Sequence, residues 1–208
     1  MVALELPVGI SNLLSMSIAA FTIMAACNAL PWMEKRPIEP IPSNGVVEDV
    51  YSTKWFIRRV LSHYSEPQHC GNEIVSIFML VGALIDWIIN NQHALGGGMG
   101  VYWPAILLSQ FVAGGVGVFL YAHKFENGGY YNTYIPVVSA APFCVLAFEP
   151  TLKVAVFSGI LGGILGAPIA TSLVEFLPEG MHPVVTNVIA MALSTIVVWA
   201  AMLYIPWI

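Results

Sequence analysis

Six stretches of this chain are each long and apolar enough to cross a bilayer as a helix: 8–30, 73–89, 101–122, 131–148, 152–177 and 184–205. A hydrocarbon core of about 30 Å is spanned by roughly 20 residues at a rise of 1.5 Å each. In lipid every backbone N–H and C=O must be satisfied internally, and a helix does this within one segment. The pattern predicts an all-α, polytopic integral membrane protein of about six transmembrane helices. Residues 1–208 then form a single membrane domain.

Composition excludes the soluble alternative. Apolar residues make up 58% of the 208 positions, charged residues 9%, and the mean hydropathy is +0.78. Soluble domains carry roughly 25% charged residues, and a chain this short buries too little of its surface to hide so much apolar area. Twelve acidic against seven basic residues leave no basic footprint for nucleic acid. Cys27, Cys70 and Cys144 are too few and too scattered for a disulfide framework. The first apolar run lacks the basic residues of a secretory leader, its one early charge being Glu5, and is read as a retained helix.

Orientation follows from the cations, which resist translocation. Lys35, Arg36, Lys54, Arg58 and Arg59 lie between the first and second spans, and Lys124 lies between the third and fourth. Six crossings put both connections on one side, with Lys153 alone opposite. The expectation is a cytoplasmic connection at 31–72 and non-cytoplasmic N- and C-termini. Within that connection Pro37, Pro40 and Pro42 favour extended chain. Residues 54–64 read as a short amphipathic helix, Ile57 with Leu61 and Val60 with Tyr64 on one face, lying at the headgroups or packed on the bundle.

In lipid, charges and interrupted helices are the residues that need explaining. Asp86 lies in the second span, one residue before Trp87: an ion site, or a carboxylate reaching interfacial water. Glu175, near the C-terminal end of the fifth helix, needs a cationic partner because the helix dipole disfavours it there. Glu73 opens the second helix, where a negative charge is favoured. Pro136 and Pro142 flank Ser139 in the fourth span, and Pro168 interrupts the fifth just before Thr171 and Ser172. A proline in a helix frees the carbonyl four residues earlier, and transporters use freed backbone groups to hold ions and solutes. These six residues, with Asp86 and Glu175, outline an expected substrate or ion site.

Gly159 with Gly163, and Gly162 with Gly166, form overlapping GxxxG pairs that let helices approach closely. The run Ala113-Gly114-Gly115-Val116-Gly117 in the third span offers a matching face. In HYSEPQHCGNE, His63, His69 and Cys70, with Glu66 and Glu73, have the side-chain types that bind transition metals, yet their spacing fits no zinc signature and no metal or other cofactor is assigned. No GxSxG or phosphate-binding loop occurs. The reading is a membrane transporter or channel subunit for a small polar solute or ion, its pathway lined by proline-broken fourth and fifth helices. Its expected partners are the lipid bilayer and either further copies of itself or another membrane subunit. The alternatives are a non-catalytic subunit of a larger complex and, behind it, an intramembrane enzyme using Glu66, His69 and Glu73.

Overall fold

A computed structural model describes residues 49–68, 71–90, 100–174 and 183–206, together with Ile18 and Thr22. The first expected span, apart from those two positions, lies outside the described residues, as do His69, Cys70 and Glu175. Among the described residues every regular element is helical: α1 (Thr53–Ser62), α2 (Glu73–Asn90), α3 (Trp103–Leu120), α4 (Ile135–Val138), α5 (Ala140–Ala147), α6 (Leu152–Val174) and α7 (Pro183–Leu203). Three stretches are long and apolar enough to cross a membrane: Gly100–Leu120, Leu152–Leu173 and Val185–Leu203. The chain is thus a helical protein with the makings of a membrane protein.

The centre of the bundle is α6, which packs most extensively on α3 and next on α7. Its glycines explain the closeness. A Cβ on Gly159 would lie 2.7 Å from Cβ of Val112, and one on Gly163 would lie 2.7 Å from the Ala113 carbonyl oxygen. Nothing larger than hydrogen fits either position. The second pair serves a different neighbour: Cβ atoms on Gly162 and Gly166 would lie 2.9 and 2.6 Å from the Pro136 ring. One glycine stripe therefore seats α3, and the other takes Pro136 as a knob.

The fourth expected span is two short helices meeting at Ser139, whose φ of −136° and ψ of −85° are not helical. Both prolines sit in first turns, Pro136 in α4 and Pro142 in α5, where a missing N–H removes no helical bond. Two carbonyls on the α4 side of the break are satisfied locally. Gln110 Nε2 of α3 donates to Val137 O at 2.9 Å, and Ser139 Oγ donates to Ile135 O at 2.6 Å.

The fifth span corrects the expectation of a second broken helix. α6 runs unbroken through Pro168. The carbonyl this proline frees is that of Ile164, and the Tyr121 hydroxyl at the end of α3 donates to it at 2.6 Å. A neighbouring helix thus supplies the missing donor, which lets a membrane-type helix keep a proline.

α2 stands apart. Ile74, Phe78, Ile85 and Ile88 are exposed, Phe78 by 72%. It is tied in at its ends. Asn72 caps it, its Oδ1 accepting from Ile74 N at 2.7 Å, and Ser65 bonds Ser76 at 2.8 Å. Near the other end Trp87 stacks on Trp103 and donates to Gly100 O at 2.7 Å.

Candidate functional site

The short helix α1 is set by Ser52, whose hydroxyl accepts from Trp55 N at 3.2 Å as an N-cap. Its apolar side packs on the bundle: Trp55 and Val60 are buried with Val118 of α3 and Phe125. Lys54, Ile57 and Arg58 face outward. That packing carries the end of α1 inward, and with it Arg59 and His63, which stand four apart on one face. Glu66 follows in a single 3-10 turn, Glu66–Gln68.

These three side chains form a buried polar cluster. Arg59 pairs with Glu66 through a guanidinium nitrogen and the Oε1 atom, and the two side chains are 15% and 6% exposed. The guanidinium also lies over the rings of Phe125, at 4.7 Å, and Tyr130, at 5.4 Å. The Tyr130 hydroxyl donates to Glu66 Oε1 at 3.2 Å. His63 is fully buried; its Nε2 lies 2.8 Å from Thr133 Oγ1 and 3.8 Å from Glu66 Oε2. Gly114 of α3 makes room for the imidazole, since a Cβ there would stand 3.0 Å from Nδ1. Thr133, with Tyr134 next to it, leads into α4, and the Tyr134 hydroxyl bonds Asn187 of α7, which also accepts from Asn132 at 3.1 Å. The cluster thus joins α1, α3, the entry to α4 and α7.

Gly114 is six residues short of the end of α3, which sets the imidazole roughly 9 Å in from that end. At this depth water supplies few hydrogen bonds. Four buried polar atoms nevertheless have no partner among the described residues: Arg59 Nε, His63 Nδ1, Tyr64 Oη and Glu66 Oε2. Such atoms cost free energy unless something meets them. Burial, helped by the Arg59 guanidinium, holds the His63 imidazole well below its usual range, so it is uncharged at neutral pH. Burial pushes the Glu66 carboxyl up, against the opposing pull of Arg59. Donors, acceptors, an imidazole and a carboxyl therefore sit together in one buried place.

Of the residues singled out in the sequence, His63 and Glu66 are brought together and the others are dispersed. Asp86 is exposed on α2. Pro136 is buried against the glycines of α6, and Ser139 is buried with its hydroxyl on Ile135 O. Pro142 and Pro168 are half-buried. Thr171 and Ser172 are exposed, and Thr171 donates to Ala167 O at 3.0 Å within α6. Glu175, His69 and Cys70 lie outside the described residues. Glu73 accepts from Arg58 Nε at 2.8 Å. Among the described residues no group of three His, Cys, Asp or Glu is placed to hold a metal ion, and His63 serves Thr133 instead. The sequence reading passed over Arg59, Tyr130, Asn132, Thr133, Tyr134 and Asn187. A signal was present in Arg59 and His63, spaced four apart at the end of α1, and in the polar run 130–134 at the head of an apolar span.

The chain matches no family model, no curated protein and no solved structure.

Proposed function

We propose that this chain crosses the membrane six times and acts as a transporter or channel subunit for a small polar solute or ion, with its site at Arg59, His63 and Glu66. The carrying observation is the buried cluster with four polar atoms that find no partner among the described residues, at the joint between α1 and the bundle. A polar site that deep in an otherwise apolar helical protein is costly unless it handles a ligand. The carbonyl freed by Pro168, that of Ile164, is occupied by the Tyr121 hydroxyl, which supports a site away from that proline. The distribution of basic residues supports a cytoplasmic placement of the 31–72 connection and the cluster, with both termini on the opposite side. α1 then lies along the cytoplasmic surface, with Lys54 and Arg58 toward anionic headgroups.

A second reading is favoured by α2. Its apolar side chains are exposed around most of the helix, as suits a membrane subunit docked against another copy or another chain. The two readings separate in one experiment. The purified chain, reconstituted alone into vesicles, is offered a panel of labelled small polar solutes and monovalent ions. The transport reading expects uptake of at least one of them well above protein-free vesicles. Correctly inserted protein that moves none of them favours the subunit reading.

A further inference from the structure

We propose that the proton is an ion this protein binds, and that it binds on Glu66 Oε2 beside His63, as the ion coupled to movement of the solute. The coupling rests on the transport reading above; the proton site itself does not.

The geometry carries the case. The two oxygens of the Glu66 carboxylate are treated differently: Oε1 accepts from Arg59 and Tyr130, while Oε2 is buried and accepts from nothing among the described residues. Nε2 of the His63 imidazole lies 3.8 Å from Oε2. That is too long for a hydrogen bond and short enough to become one with a small movement of either side chain. A proton arriving from water bonds to Oε2, and the new O–H donates to the Nε2 lone pair in place of Thr133, whose hydroxyl turns to the Tyr131 carbonyl oxygen 3.5 Å away. Until that step Thr133 Oγ1, at 2.8 Å from the same nitrogen, is the partner that holds the ring. Protonation removes the charge that holds Arg59, so the guanidinium keeps only its rings and a neutral oxygen. The clasp between α1 and the turn at Glu66–Gln68 is thereby loosened. A carboxylate that binds its proton and releases a neighbouring ion pair is the kind of two-state element that coupling requires.

Among the described residues, the charged and titratable groups around this carboxyl are few. α1 contributes Arg59 and His63, with Tyr64 just beyond its end. The segment before α4 contributes Tyr130 and Tyr134. α3 carries no titratable side chain and presents Gly114 to the imidazole. Glu73, at the start of α2, is engaged by Arg58. Burial is the largest influence on Glu66 and favours the protonated form, while Arg59 opposes it.

The test is infrared difference spectroscopy across pH on the purified full-length protein, unlabelled and labelled with 13C-glutamate. The expected result is a protonated-carboxyl band that moves on glutamate labelling and titrates above the ordinary glutamate value of about 4.3. It vanishes in Glu66→Gln. In His63→Leu it persists and moves to higher wavenumber, because the carboxyl O–H has lost its acceptor. This second variant decides the matter if Glu66→Gln does not fold. Absence of the band in the wild type, its survival in Glu66→Gln, or an unmoved band in His63→Leu overturns the proposal. Solute uptake without the band would leave the transport reading standing and remove the proton site. The band without uptake of any solute would do the reverse.

Discussion

Replacing Arg59 by alanine destabilises the protein by about 3–5 kcal/mol, the range for removing one partner of a buried ion pair. The guanidinium is 15% exposed and its partner carboxylate 6%, so the pair belongs to the interior class and not to surface pairs, which contribute about 0–1 kcal/mol. Most of the loss comes from what is left behind. Glu66 would keep the Tyr130 hydroxyl and lose its countercharge, and the faces of Phe125 and Tyr130 would lose the cation they flank. The double variant Arg59→Met with Glu66→Gln removes both charges at similar volume and loses much less, because no unpaired charge remains. Unfolding of the detergent-solubilised protein by added denaturing detergent measures both. A single-variant loss under about 1 kcal/mol would place the pair in the surface class.

Gly163→Leu disrupts the bundle by wedging α6 from α3. The new Cβ would stand 2.7 Å from the carbonyl oxygen of Ala113, a backbone atom that no rotamer change can move. Overpacking costs typically about 1–3 kcal/mol and occasionally more, and a leucine against backbone falls at the upper end. Gly82→Leu in α2 is the control, because nothing lies within 4 Å of a Cβ there. Leucine is a better helix former than glycine by up to about 1 kcal/mol, so the control is neutral or stabilising. The same unfolding assay reads the contrast. Equal effects at the two glycines would show that residue type, not the α3–α6 contact, sets the cost.

What the sequence conveys here is the local part of the structure. Apolar length places α3, α6 and α7 within a few residues of their expected windows, and the four-residue spacings of α1 locate it at Thr53–Ser62 against an expected 54–64. The glycine pairs announce close packing, and the face at 113–117 they were expected to meet is among those they touch. The prolines convey less, because their effect depends on neighbours. Pro168 frees a carbonyl by covalent rule, but only the folded bundle brings Tyr121 from 43 residues away to satisfy it. Pro136 and Pro142 suggested an interruption without saying that each begins a short helix on either side of Ser139. The site was hidden for the same reason. His63 and Glu66 stood out only as possible metal ligands or enzyme residues, Arg59 read as one cation of a polar connection, and nothing local says that Thr133, 70 residues on, meets His63.

The most direct test of the account compares uptake by vesicles holding Glu66→Gln with uptake by vesicles holding Asp86→Asn, each confirmed folded, for the solute the wild-type protein moves. If the buried cluster is the site, Glu66→Gln lowers uptake at least about tenfold, a difference of about 1.4 kcal/mol, and Asp86→Asn, on the exposed face of α2, leaves it near wild type. Full uptake by Glu66→Gln with loss in Asp86→Asn would contradict the account and move the site to α2.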